Sequence, residues 1–311
     1  MNGNDYNLLK TLWQWKCLTP AALTEIYYPK NAPSYCYRRL VRLRDAKLIE
    51  TCPIKDDKTG RSFVWSLTKK GFETIQDGIS DLKEVGFKSE SIDHDLLVAA
   101  VHIGDWLSGA PNDCEVFTEQ QLRRMHEEHY PSWIPKGDGH RPDGYWRTLF
   151  EGKKGTIALE VERNRKSLDD YIEAAQFYAL RENLFRVMWI VRLPGAAKLV
   201  AEAAQKVGGA AEGLHNFILE SDFRKSGWGA YIFMGRDTGK PLSHFLPSSR
   251  SKSEQYVAPT LLLNTMKSPH MSKPYLEIKK ILKCNRLGSS LVSEPSSLPL
   301  NLQTKGPTNE Q

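Results

Sequence analysis

The chain has 311 residues, 40% of them hydrophobic, which is typical of two domains that each bury a core. No segment approaches the roughly 18 consecutive apolar residues of a membrane span, and the N-terminus lacks the layout of a secretory signal. We therefore expect a cytoplasmic protein with no membrane partner. Five scattered cysteines, none in a C-x-x-C pair, argue against structural zinc and a disulfide framework. The net charge of +6 is compatible with a polyanionic partner but does not identify one.

Residues 1–88 show three segments with helical periodicity, followed by two β-like runs. Apolar residues predict a first helix over 4–16, and Thr19 followed by Pro20 predicts the start of a second. A third helix is predicted from about Ser34, and two strands at 48–55 and 61–68 flank a polar turn. This order of elements is typical of a winged helix-turn-helix domain with a helical connector.

The third helix is the most basic of the chain. In a winged helix this element enters the major groove of double-stranded DNA while the wing contacts phosphate. The predicted DNA-binding residues on the helix and the wing are Arg38, Arg39, Arg42, Arg44, Lys47, Lys55, Lys58 and Arg61. The alternative is a winged-helix adaptor for protein partners, because a basic helix alone does not specify its ligand. Four tyrosines surround this region and are interpreted as core residues, none being assigned as a nucleophile: Tyr27, Tyr28, Tyr35 and Tyr37.

The second domain is predicted to span residues 89–245, after a polar helical connector over 68–89. An apolar helix is expected from residue 91. Runs of β-branched and aromatic residues then predict strands at 114–122, 141–149, 155–163, 185–193, 215–221 and 228–235. Helices are predicted at 167–183 and 195–209. Strands grouped first and then alternating with helices indicate an α/β (α+β) fold with a mixed sheet flanked by helices.

The C-terminal residues 246–311 are rich in serine and proline and are predicted to be a mostly disordered tail. Within this tail, residues 274–284 have helical periodicity, which predicts a short helix there.

Two acidic motifs in the second domain could carry chemistry. Glu160 and Glu162 are two residues apart on a predicted strand and therefore point to the same face, and Asp143 lies on a neighbouring strand. Three such carboxylates could hold Mg²⁺ or Mn²⁺, which would activate a water and stabilise charge on a phosphodiester. The alternative is a solvated strand end and an ordinary Pro-Asp-Gly turn.

The segments HRPDGYW, at 140–146, and ALEVERNRKSLDDYIEAAQFY, at 158–178, resemble the replication-relaxation family and the related MobC-type plasmid mobilisation relaxases. The resemblance covers residues 5–235 and implies a second domain similar to PD-(D/E)XK nucleases. By position it implies that Asp143, Glu160 and Glu162 are the metal-binding acids. It also implies that His94 lies on a histidine-bearing helix between the domains. A standard PD-(D/E)XK core has lysine where this chain has Glu162, so Lys166 is the candidate for the displaced lysine.

The leading hypothesis is a metal-dependent, relaxase-type DNA endonuclease (nickase) of a mobile element, acting in plasmid mobilisation or replication with other proteins of those processes. The alternative is a non-enzymatic regulator whose degenerate nuclease-like domain serves for homodimerisation or partner docking. His94, at the start of an apolar helix, is either a base or a satisfied structural residue. Tyr171 and Gln176 lie on the helix after the acidic strand, where either packing or catalysis would explain them.

Overall fold

The computed structural model of the protein describes residues 3–54, 62–79, 81–103, 114–137, 139–150 and 153–245. The predicted wing residues Lys55, Lys58 and Arg61 lie outside these ranges. The predicted tail at 246–311 and its helix at 274–284 lie outside them as well.

Three helices and a small antiparallel sheet form the N-terminal region, close to the predicted positions. The helices are α1 (Gly3–Trp15), α2 (Pro20–Tyr27) and α3 (Pro33–Asp45). The strands are β1 (Cys17–Leu18), β2 (Ile49–Ile54) and β3 (Ser62–Leu67), in the order β1-β3-β2. The short strand β1 was not predicted, because two residues carry no periodicity. The predicted start of α2 is confirmed: the Thr19 hydroxyl accepts a hydrogen bond from the Ala22 N–H at 3.1 Å, ahead of a first-turn proline.

Helix α3 buries one face and presents another to solvent. Cys36, Leu40 and Leu43 pack into the core, whereas Arg38 and Arg42 are exposed. A helix turns by 3.6 residues, so positions four apart share a face. The two exposed arginines therefore lie side by side on the outer surface of the helix.

The connector differs from its prediction as a helix over 68–89. Only α4 (Lys69–Ile75) and a 3-10 helix (Gln76–Gly78) are helical. The backbone carbonyl of Gly86, further along the connector, accepts hydrogen bonds from Trp13 Nε1 at 3.1 Å and Gln120 Nε2 at 2.8 Å. These long-range contacts hold the connector in a non-helical path and override its local helical pattern.

A mixed sheet forms the centre of the second region. Its described strands are β4 (Glu115–Thr118), β5 (Gly144–Phe150), β6 (Lys153–Glu162), β7 (Leu184–Val191), β8 (His215–Leu219) and β9 (Met234–Gly235), hydrogen-bonded in that order. Strands β6, β7 and β8 are parallel and the other pairs are antiparallel. Its helices are α5 (Ile92–Ile103), α6 (Glu119–Arg124), α7 (Leu168–Ala179), α8 (Pro194–Val207) and α9 (Glu220–Ser226). The predicted α/β (α+β) class with a mixed sheet is confirmed.

Two predicted strands are wrong in part. The segment 114–122 is a strand only as far as Thr118, which then forms a capping box with Gln121 and starts α6. The segment 228–235 begins with a 3-10 helix, Gly227–Gly229, and only its last two residues form the strand β9. In both cases turn and cap chemistry overrode the apolar pattern.

Both faces of the central strand β6 are covered, which explains the apolar run at residues 157–159. Ile157 and Leu159 pack in one cluster with Val98 of α5. Ala158 on the opposite face packs in another cluster with Ala174 of α7. Glu160 and Glu162 continue the Ala158 face, so they emerge on the side of α7.

The described residues on either side of the predicted boundary near residue 88 belong to one compact unit, in which α1 contacts both α5 and α6. The division into domains at this position stays a prediction. No helix of the described ranges is long and apolar enough to cross a bilayer.

Candidate active site

The sheet register itself places Asp143 beside the acidic end of β6. Pairing of β5 with β6 begins at Gly144, opposite Leu159, so the Val161 N–H lies beyond the ladder. The Asp143 carboxylate accepts a hydrogen bond from this N–H at 2.6 Å. Gly144 has a φ of +156°, and a Cβ there would lie 2.5 Å from the His102 ring. A glycine at this position therefore allows His102 of α5 to pack against the backbone directly after Asp143.

The carboxylate of Glu160 is buried and bound by two side chains that were not predicted. His140 Nε2 and the Tyr178 hydroxyl both contact Glu160 Oε1. Tyr178 is fully buried on α7, and His140 is part of the HRPDGYW motif three residues before Asp143. Burial alone would raise the pKa of Glu160, but these partners lower it overall. Glu160 is therefore held as an ionised carboxylate of fixed orientation.

Lys166 turns back towards the strand that precedes it. Its Nζ lies 3.2 Å from Glu162 Oε2. Burial opposes its charge, but the negative charges of Glu162, Glu160 and Asp143 together raise its pKa. A capping box at Ser167 starts α7 directly after Lys166. The structure thus brings Lys166 to the three predicted acids, whereas its predicted catalytic role stays a prediction.

Of the two α7 residues considered for the site, Tyr171 lies against Glu162 and Lys166, both of which affect its pKa. The Tyr171 hydroxyl accepts a hydrogen bond from the Lys166 backbone N–H at 3.1 Å, and the ring is buried. Gln176 is exposed. Tyr171 thus stabilises the backbone turn that contains Lys166.

His94 lies between two carboxylates at the start of α5. Its Nε2 is 3.5 Å from Asp143 Oδ1 and 3.2 Å from the Val161 carbonyl oxygen, and its Nδ1 is 3.7 Å from Asp95 Oδ1. Burial alone would lower the pKa of His94, but the two carboxylates outweigh it and raise that pKa to about 10. A histidine that is protonated at neutral pH has no free lone pair. This raised pKa does not suit a general base, and the predicted catalytic role of His94 stays a prediction.

The acids differ in their charge balance. Burial and the nearby charge of Glu160 raise the pKa of Asp143, although His94 opposes this. Burial also raises the pKa of Glu162, against the effect of Lys166. Of the three acids, Glu160 is therefore the one whose ionised form is favoured most.

These residues fit a divalent cation only in part. Within the described ranges, no group of three His, Cys, Asp or Glu side chains is arranged to hold a metal ion. However, Mg²⁺ commonly binds through only one or two carboxylates, together with water and phosphate. Asp143 and Glu160 are hard oxygen donors that lie close enough for one to shift the pKa of the other. The pair suits such a cation, whereas Glu162 is engaged by Lys166.

The shifted pKa values of three histidines near this site predict how the stability of the protein depends on pH. Burial lowers the pKa of His102 to about 3 and that of His215 to about 4. The stability that these two buried, neutral histidines give the folded protein is present above pH 6.5, the ordinary pKa of histidine. It is lost as the pH falls towards 3. His94, with its raised pKa, contributes below pH 6.5 and loses that contribution as the pH rises through 10.

We therefore expect the free energy of unfolding to be greatest near neutral pH. Each lowered histidine should contribute a slope of up to about 1.4 kcal/mol per pH unit below pH 6.5. Urea denaturation at half-unit steps from pH 4.5 to 9 would measure the slope. A free energy of unfolding that is constant between pH 6.5 and 5 would contradict the neutral, buried state of His102 and His215.

Two of the arginines predicted to bind DNA on α3 form ion pairs within the protein. The Arg39 guanidinium binds the buried Asp5 of α1, and Arg44 pairs with Asp45. Arg38, Arg42 and Lys47 are exposed, the last with a φ of +61° just beyond the helix. The DNA contacts predicted for all five stay predictions, but Arg39 holds α3 against α1.

The sequence predicted the three acids, Lys166 and His94 as site residues, but it did not predict their contacts with His140, Tyr178 and Asp95. His140 lies within the same motif as Asp143, so an imidazole three residues before the acid was a usable signal. Tyr178 is two residues beyond Gln176 and points inward where Gln176 points out. No local signal distinguishes Asp95 from other helix-starting acids.

Comparisons with known proteins gave one match. A family model described as replication-relaxation matches residues 9–187. Searches of curated proteins and of solved structures found no match for the chain.

Proposed function

Because the chain belongs to the replication-relaxation family, we propose that it is a DNA-binding protein of plasmid replication or mobilisation that nicks DNA. The N-terminal region would act as a winged helix that binds double-stranded DNA through α3. The site at the end of β6 would act as a PD-(D/E)XK-like centre that cuts one strand with Mg²⁺ or Mn²⁺.

One observation supports the nuclease proposal above the others. A lysine, Lys166, lies next to Glu162 and within the electrostatic reach of Glu160 and Asp143 at the carboxyl end of a buried strand. A solvated strand end would not require a buried Glu160 held by two side chains. Acids and a cation gathered at one strand end suit phosphodiester cleavage, in which negative charge develops on phosphate.

The chain's own residues would divide the work. A divalent cation, when bound at Asp143 and Glu160, would supply an activated water and charge neutralisation. His140 and Tyr178 hold the Glu160 carboxylate in place. Lys166 Nζ, on a half-exposed side chain, would be the cation that meets the phosphate. Burial raises the pKa of the Glu162 carboxyl, which would therefore hold or release a proton at Oε2.

The test is nicking of supercoiled plasmid that carries the native flanking DNA, in Mg²⁺, Mn²⁺ or EDTA. Wild type should nick in either metal and not in EDTA, and Glu160→Ala/Glu162→Ala should not nick at all. A matched control is Glu202→Ala, which removes an exposed glutamate of a lysine–glutamate pair on α8. If wild type binds the DNA tightly in every condition and never nicks it, the nuclease proposal is wrong.

A specific observation favours the second candidate, a non-enzymatic DNA-binding regulator. Each acid of the site already has a partner within the protein: His94 for Asp143, His140 and Tyr178 for Glu160, and Lys166 for Glu162. The site would then be a closed ion-pair network used for stability or for a homodimer. A footprint that requires no metal and is unchanged in Glu160→Ala/Glu162→Ala would support this candidate.

The proposed DNA surface on α3 gives its own prediction. Replacing Arg38 and Arg42 with alanine is expected to reduce the slope of log Kd against log salt by about 2, because each exposed arginine releases roughly one counterion from phosphate. Arg44→Ala, whose side chain pairs with Asp45, should change the slope least. Fluorescence anisotropy with a short duplex from 50 to 300 mM salt measures it. An unchanged slope in the double variant would exclude this face as the DNA surface.

A further inference from the structure

Lys16 is a buried lysine with no role in the mechanism above. It follows the last residue of α1, has a φ of +62°, and is only 8% exposed. Its Nζ lies 3.0 Å from Asp95 Oδ1 and 2.5 Å from Glu119 Oε2. Burial alone would lower the pKa of Lys16, but the two carboxylates raise it. A buried ammonium in a left-handed backbone conformation is costly, so surrounding contacts must hold it there.

Asp95 connects this lysine with the candidate active site. It is the residue after His94 on α5, and its Oδ1 lies between Lys16 Nζ and His94 Nδ1, the latter at 3.7 Å. Its other oxygen, Oδ2, accepts a hydrogen bond from the Ser89 hydroxyl at 2.5 Å. Asp95 is itself buried, so its orientation is fixed by these groups and not by solvent.

Asp95 is the partner of one ring nitrogen of His94, Nδ1. The other ring nitrogen, Nε2, faces Asp143 and the Val161 carbonyl oxygen of β6. A histidine ring is oriented by the hydrogen-bonding groups at both nitrogens. The order of contacts is therefore Lys16, Asp95, His94 and Asp143, running from the end of α1 to the end of β6.

We propose that Lys16 and Asp95 are positioning residues for His94, through which the N-terminal helical region orients the catalytic acid Asp143. This inference rests on the proposed nicking activity. The Lys16 ammonium holds Asp95 Oδ1, Asp95 holds the His94 ring, and the ring holds Asp143. Because Lys16 belongs to the region that carries α3, binding of DNA there and cleavage at β6 would share one chain of ion pairs, which is buried at Lys16 and Asp95.

Glu119 provides a matched control, since it also binds Lys16 but does not contact His94. If Lys16 serves only to join the two regions, loss of either carboxylate partner should have similar effects. If Lys16 and Asp95 position His94, loss of Asp95 should affect the site while loss of Glu119 should not. The variants are Asp95→Asn, Glu119→Gln, Lys16→Met and Lys16→Arg.

The kinetic experiment uses the full chain and single-turnover nicking with saturating protein. Asp95→Asn and Lys16→Met are expected to lower the nicking rate about 10- to 100-fold with unchanged DNA affinity, as loss of outer partners does at other metal sites. Lys16→Arg should recover part of the rate, and Glu119→Gln should match wild type. Lys16→Met leaves Asp95 and Glu119 with excess charge and could fail to fold. Lys16→Met/Asp95→Asn removes one charge of each sign and has the same expected rate.

A spectroscopic experiment tests the positioning separately from the activity. In protein with ¹⁵N-labelled histidine, the His94 Nδ1 resonance is expected to move in Asp95→Asn and Lys16→Met and to stay in Glu119→Gln. If wild type never nicks, the proposed function fails, and this resonance still decides the positioning. If wild type nicks and Asp95→Asn cleaves at the wild-type rate, the positioning role is overturned. An unmoved resonance in Asp95→Asn overturns it as well.

Discussion

Replacing Lys166 with alanine is expected to slow metal-dependent nicking about 10²- to 10³-fold, the usual cost of removing one group that stabilises transition-state charge. The ammonium lies 3.2 Å from Glu162 Oε2, and the acids raise its pKa above the ordinary value, so it is charged at neutral pH. Its side chain is about half exposed, which leaves it accessible to a phosphate. The measurement is the single-turnover nicking rate with saturating Mn²⁺.

The controls for this prediction separate catalysis from folding and from DNA affinity. Arg165→Ala removes an adjacent exposed charge and should leave the rate nearly unchanged. Lys166→Ala leaves the buried Glu162 without its cation, so Lys166→Ala/Glu162→Gln is included to restore the charge balance. If DNA affinity falls in step with the rate, Lys166 contributes to binding alone. A wild-type rate in both Lys166 variants would remove it from the catalytic set.

The sequence predicted the elements whose signal is local. The cap at Thr19, the period of α3 and the apolar run of β6 each depend on neighbouring residues, and each element was found within a few residues of its position. The alternation of side chains on a strand also predicted correctly that Glu160 and Glu162 share a face. These features follow from backbone geometry and need no knowledge of distant contacts.

The parts that could not be predicted depend on contacts between residues far apart in the chain. Tyr178 and Glu160 are 18 residues apart, and Lys16 and Asp95 are 79 apart. The periodicity of α7 indicates that Tyr178 faces inward but not which group it meets. Likewise, the basic composition of α3 did not reveal that Arg39 binds Asp5. Partner choice depends on packing, which single-sequence patterns do not contain.

Asp237→Asn is expected to lower the free energy of unfolding by about 3–5 kcal/mol, because it leaves the buried Arg186 guanidinium without a negatively charged partner. Asp237 follows β9, and its Oδ2 accepts hydrogen bonds from Arg186 Nε of β7 at 2.7 Å and from Asn216 Nδ2 of β8 at 3.0 Å. Lys240 Nζ donates to Oδ1 at 3.0 Å. One carboxylate thus joins β7 and β8 to the turn after β9.

The pH dependence of this effect identifies its cause. Burial opposes ionisation, but Arg186, Asn216 and Lys240 outweigh it and lower the pKa of Asp237 to about 2. The stability that the lowered pKa gives is present above pH 3.8, the ordinary value, and is lost as the pH falls towards 2. The difference between wild type and Asp237→Asn in urea denaturation should be constant from pH 7 to 5 and shrink below pH 4. Asp222→Asn, an exposed carboxylate of α9, is the control. If the difference in free energy of unfolding stays constant below pH 4, the loss in Asp237→Asn comes from poor packing of asparagine. The charge of the carboxylate would then not stabilise this end of the sheet.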